Sequence, residues 1–440
     1  ADLTVTGQFT QDGAGNNRLG GDLTGTAGID FASAIALIGS DAVTLVTGGG
    51  AGQDIVLGTD DTTSITGSGQ ALTLDSGAGG DITVAGGVGV EGQSVGEITI
   101  VGADQATFDG AVYASGFTQT TGNRNTGLTA FADTLDLLGG LDFTGGGLTL
   151  GDATIVGADV QVSNAGLLTK GAVGDLSIVG AFEQTGEGGF TLENSLVSVA
   201  QAMRVAGAMT VGNDLTVKAQ QIEIDATIDS VADGSYALTL DASESIELSG
   251  AVGQSRPLAS LATGESGRMT LNTTLVSTIG SQNYNVPLTF LAGSLNNPLV
   301  LRAELGDIDL GSSVSAGTGS KGATRSLDIE ATNGNVFVRD QIGVSLVGVR
   351  YGDYQNTVDT NPYRLNIEAA DIWLYADVTT FENQLYDGRV HIGNNGTNGF
   401  TRLLISLDPS VVFTGTIDDT SPMTHRLDVR AVTTNAQNGL

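Results

Sequence analysis

The stretch GSYALTLDASESIELSGAVGQSRPLASLATG, Gly234 to Gly264, decides the fold. It holds two short runs of alternating residues, Ala237-Leu238-Thr239-Leu240-Asp241 and Ser245-Ile246-Glu247-Leu248-Ser249. Successive strand residues point to opposite faces, so each run turns one set of side chains inward and the other outward. Asp, Ser, Glu and Gly lie between the runs and favour turns over continued pairing. The pattern predicts strand, turn and strand, with no helix.

The unit returns along the chain. Ala71-Leu72-Thr73-Leu74-Asp75 repeats Ala237–Asp241 without a change, and Asp81-Ile82-Thr83-Val84 supplies its second strand. Looser copies are Ser326–Glu330, Arg364–Glu368 and Arg426–Arg430. A second phrase recurs as Phe9-Thr10-Gln11, Phe117-Thr118-Gln119 and Phe182-Glu183-Gln184. Recurrent strand units predict a solenoid, an all-β elongated parallel β-helix of degenerate rungs of about 20 residues. At ~4.8 Å per rung, 440 residues would give about 22 rungs and a rod of ~100 Å.

Composition supports that reading. Glycine contributes 66 residues, aromatics 5% and proline 6, while hydrophobic residues reach 40%. The chain is too apolar for disorder, and its glycines between short Val, Ile, Leu and Thr runs fit tight corners between stacked strands. Acidic residues outnumber basic ones 49 to 17, a net charge of −32. Such a surface repels phosphate backbones and anionic membranes, which speaks against nucleic acid and membrane insertion as partners and for solubility. With no cysteine there is no disulfide framework, thiolate metal site or cysteine nucleophile. The start Ala1-Asp2 is compatible with a removed leader or an excised fragment.

Two regions differ in flavour. Residues 1–230 read as a Gly-rich β-solenoid without proline and with five Lys or Arg. Residues 231–440 read as its continuation with larger loops, and hold all six prolines, twelve basic residues and the single Trp. Aromatic and Arg residues gather at about 350–413. There Tyr351, Tyr354, Trp373 and Tyr375 are candidate partner-binding residues for a second subunit or a glycan, against the plainer reading that they fill a core.

Candidate chemistry is sparse. Gly49-Gly50-Ala51-Gly52-Gln53-Asp54-Ile55-Val56-Leu57 fits the Ca²⁺-binding nonapeptide letter for letter, which makes Asp54 a metal candidate. Calcium needs six to eight oxygens from several segments, and the next Gly-rich stretch breaks the spacing. Gly87-Val88-Gly89-Val90-Glu91-Gly92 matches a dinucleotide fingerprint, but a strand follows where a helix is needed, so it reads as a β-corner. His391 and His425 read as surface or loop histidines, and no catalytic residue is assigned.

The phrases at 234–264 and MTLNTTLVSTIGSQNYNVPLTFLA at 269–292, with LTLGDATIVGADVQVSNAG at 148–166, resemble the repeats of filamentous-haemagglutinin-like adhesins. These are very large bacterial surface exoproteins built of β-strand repeats. The resemblance covers most of residues 1–340 and implies a right-handed parallel β-helix at the bacterial cell surface. It also implies a role in adhesion, biofilm or fibre building, and carries over no functional residue. The expected protein is therefore a non-enzymatic extracellular shaft or fibre subunit that self-associates end to end and contacts surface glycans or neighbouring cells. Two alternatives stand beside it, a polysaccharide-active β-helix enzyme and a calcium-dependent surface-layer protein.

Overall fold

The computed structural model describes residues 2–39, 42–119, 127–317, 325–343, 361–393, 401–406, 410–419 and 426–431. Among these there is no helix; 56% of the chain is strand, in parallel sheets stacked as a β-solenoid of about 16 turns. The sequence expectation of about 22 rungs assumed a constant coil. Leu141 pairs with Val160 and Val160 with Phe182, spacings of 19 and 22 residues, but Leu327 pairs with Leu365, 38 residues on. Excursions at the corners use up chain without adding turns. The chain divides into two compact units, Ala1–Gln220 and Gln221–Leu440.

In the first unit each coil lays one short strand on each of three faces. One core column runs Val43, Leu72, Ile98, Phe117, Leu141, Val160, Phe182, Met203. A second runs Ile29, Ile55, Ile82, Ala106, Thr129, Leu148, Leu168, Phe190, Met209. A third runs Val112, Leu135, Thr154, Leu176, Val197. Every strand reads buried, part-exposed or exposed, buried, because a three-residue strand turns its first and third side chains inward. Like sits on like: Phe108 stacks on Phe131 at 4.9 Å and Phe182 on Phe190 at 5.3 Å.

The Phe-x-Gln phrase does not mark one structural position. Phe117-Gln119 and Phe182-Gln184 share the first face, but Phe9 pairs with Ile29 on the second. The buried amides are held. Gln184 Nε2 donates to Asn164 Oδ1 at 2.8 Å and to the carbonyls of Gly186 and Gly188, and its Oε1 accepts from the Gly207 N–H at 2.8 Å.

The acidic composition has a structural part. An aspartate standing before an apolar-x-apolar strand accepts a backbone N–H from the next coil. Asp22 Oδ1 takes Thr44 N–H at 2.9 Å, Asp54 takes Asp81, Asp81 takes Gln105, Asp159 takes Ala181 and Asp307 takes Asn335. Bonds to a charged acceptor contribute roughly 1.5 kcal/mol or more each, so these corners link coil to coil. Glycine serves the same corners sterically. Gly49 and Gly77 have φ of 80° and 69°, and a Cβ on Gly77 would lie 2.4 Å from Gly49 Cα. Successive loops stack backbone on backbone there.

The second unit uses longer strands that pass across a corner, Ala237–Leu248 and Leu327–Val338 of 12 residues and Leu365–Leu374 of 10. Its core repeats a polar bracket. Tyr284 donates to Gln282 Oε1 at 2.8 Å, and Gln282 Nε2 reaches Arg302 O at 2.6 Å and Thr278 Oγ1 at 3.3 Å. Tyr386, Gln384 and Thr380 repeat this at 2.9 and 3.2 Å. Burial pushes both tyrosine hydroxyls far above their ordinary range.

Candidate functional site: exterior columns of the second unit

Strands Leu327–Val338, Leu365–Leu374 and Gln384–Ile392 lie side by side, and every second residue faces outward. The register sets Phe337 opposite Trp373, Trp373 opposite His391 and His391 opposite Asp418. Asn335, Asp371 and Arg389 form the neighbouring column. Two of the predicted partner-binding residues, Trp373 and Tyr375, thus come together. Tyr351, Tyr354 and His425 lie outside the described residues.

The rings form a ladder. Trp373 lies 6.4 Å from Phe337 with 19° between planes, and 4.1 Å from His391 with 15°. Tyr375 stands beside Trp373 at 6.3 Å and 11°. Because Phe337 and His391 belong to the coils before and after, the ring normals follow the stacking direction. The faces of Trp373 are covered and its edge points outward. Tyr375 is covered likewise: the Arg339 guanidinium lies 5.7 Å from its ring centre, and a Cβ on Gly393 would lie 2.4 Å from its Cε1. A sugar ring stacks on an aromatic face, so this arrangement favours coil packing over glycan stacking.

Charge is paired across the same coils. Arg339 Nε donates to both oxygens of Asp309 at 2.7 and 2.8 Å, and this bond holds the guanidinium protonated above its ordinary value. Asp371 receives Arg389 at 3.2 Å and His391 Nε2 at 2.6 Å. His391 is therefore a half-buried rung of the ladder, not the surface or loop histidine expected from sequence. The signal was there in the alternation Arg389-Val390-His391-Ile392, which puts His391 on the outer side of a strand.

The other sequence candidates resolve differently. The Asp54 carboxylate is engaged by the Asp81 N–H, and among the described residues no three His, Cys, Asp or Glu side chains are placed to hold a metal ion. Gly89 and Gly92, with φ of 69° and 77°, build a tight turn closed by Val90 and Gln93, a β-corner as read. An open groove of about 330 Å³ lies in the first unit between Glu97, Gly116, Gly140, Asp142, Asp159 and Gln161, where two successive glycines leave a notch. Among the described residues no helix is long and apolar enough to cross a membrane. No protein-family model matches the sequence, and no curated protein or solved structure is significantly similar to it, so the chain is placed by its architecture alone: a parallel β-solenoid of repeated coils.

Proposed function

We propose that this protein is an extracellular structural solenoid, the shaft of a cell-surface fibre or adhesin of the filamentous-haemagglutinin-like kind. The observation that carries the reading is the use to which polar and aromatic residues are put. Asp corners, buried Gln brackets and the exterior ring ladder all bond one coil to the next. A shaft requires that investment in axial cohesion.

Axial assembly uses the same chemistry. Leu3 N–H donates to Asp22 O and Val5 O accepts from Thr26, so both face the next coil, and the intervening Thr4 N–H faces the opposite edge. That edge can take a parallel strand from a preceding coil or from another copy.

Electron microscopy of the native protein tests this. Uniform filaments are expected, and Thr4→Pro is expected to shorten them to single subunits while circular dichroism stays unchanged. Filaments of unaltered length in that variant would overturn end pairing. Cleavage of a polysaccharide by the purified protein would replace the structural reading with an enzymatic one, and surface proteolysis of intact source cells tests the location.

A further inference from the structure

One face of the first unit departs from the charge of the rest. Its outward residues over five successive coils are Ala130, Thr149, Thr169, Thr191 and Thr210, one per strand, stacked in register. The positions on one side of this column are Leu128, Gly147, Leu167, Gly189 and Ala208. Those on the other side are Ala132, Gly151, Gly171, Glu193 and Gly212. Of these fifteen residues only Glu193 is charged, in a chain of net charge −32. The strands on either side carry Asp136 on one face and Asp142, Glu183 and Arg204 on the other, all turned outward.

We propose that this threonine face is a lateral interface that pairs with the same face of a second copy of the chain. The choice of occupant follows from charge and period. An acidic or basic partner would find no counter-charge here, whereas a second copy meeting any other face would set carboxylates against carboxylates. Face to face, two identical ladders have the same rung spacing, so their Thr methyls and hydroxyls interlock along the whole length. Leu128 and Leu167, 42% and 51% exposed, rise above the glycines in the same column and fit over the glycine rungs of the other copy.

The area sets the strength. Five coils at ~4.8 Å by five residues at ~3.3 Å give ~400 Å² per copy and ~800 Å² in all, at the border of a weak specific contact. Pairing is therefore weak between single copies and additive between filaments. It does not rest on the shaft reading, because it needs neither end of the chain.

Sedimentation of the full chain over a concentration series tests it. Wild type is expected to self-associate, more strongly as salt screens the −32 charge. Thr149→Lys with Thr191→Lys should weaken association at least tenfold, while Ser177→Lys with Ser198→Lys, on the next face, should leave it unchanged. A twofold axis near the middle rung brings the two copies of residue 169 together. In this cysteine-free chain Thr169→Cys should therefore form an interchain disulfide on oxidation, and Ser177→Cys should not. A wild type that stays monomeric in high salt, equal loss in both lysine pairs, or equal cross-linking at both positions would overturn the proposal. Thr4→Pro should leave it intact, which separates lateral from axial failure.

Discussion

The two units solve the same problem with different means. In the first, strands of three to five residues alternate with corners made of glycine and aspartate. In the second, strands of 10 to 12 residues cross a corner, and tyrosine, glutamine, arginine and stacked rings fill the larger turns. Short coils bring backbones so close that side chains are excluded: a Cβ on Gly188 would lie 1.7 Å from Gly166 O. Longer excursions leave polar backbone groups that need side-chain partners. Coil length thus decides which residue types hold the corners.

The largest expected effect comes from removing a buried amide in the tight unit. Gln184→Leu is nearly isosteric, but leaves the Gly207 N–H without its acceptor and the Gly186 and Gly188 carbonyls without a shared donor. A loss of about 3–5 kcal/mol is expected in denaturant unfolding. A loss under about 1 kcal/mol would mean that water replaces the amide, and that the tight coils are less closed than their backbone contacts indicate.

The second unit should give smaller and paired effects. Tyr284→Phe and Tyr386→Phe each remove one hydroxyl from a glutamine Oε1, for about 1–3 kcal/mol apiece. The brackets lie several coils apart, so the double variant should show the sum. Marked non-additivity would show that the coils between them transmit strain.

Much of this organisation was legible in the sequence. The alternation in Ala71–Asp75 and Ala237–Asp241 gives strands in both places, and the coil spacing follows from the recurrence. The motif of Asp before apolar-x-apolar, as in Asp22-Leu23, Asp81-Ile82 and Asp159-Val160, was visible too, but reads as surface charge until the next coil is in place. The phrase Phe-x-Gln misleads for the same reason: a strand records which residues face inward, not which of three faces it occupies. Of the candidate site, the coincidence of Trp373 and Tyr375 is local and could be read. Stacking on Phe337 and His391 depends on a register set by coils of different length, 36 and 18 residues, which no short-range pattern encodes.

Lys170 sharpens the comparison from the other direction. It occupies a core column between Leu150 and Leu192 in the tight unit, and its Nζ reaches the carbonyls of Gly171 and Val173 at 3.0 and 2.7 Å. Desolvation lowers its pKa below the ordinary 10.5, only partly countered by Asp152 and Asp175. Between the lowered value and 10.5 the unfolded chain holds more protons than the folded one, so stability rises with pH across that window. Lys170→Met should stabilise by about 1 kcal/mol at pH 7 and abolish that rise. Denaturant midpoints of both chains from pH 7 to 9.5, below tyrosine ionisation, check it. Parallel pH profiles would mean that the amine is solvated at the corner.

The smallest effect should fall where the wider coils display the most charge. Arg339→Ala removes the bidentate bond to Asp309 and the cation over Phe337 and Tyr375. The guanidinium side chain is 46% exposed, so solvent screens the pair and the loss should stay within about 1 kcal/mol. It should shrink further in 1 M salt if the ion pair dominates, and persist if packing over the rings does. A loss as large as that of Gln184→Leu would reverse the order. It would make the outer columns, and not the buried amides, the main bond between coils of the second unit.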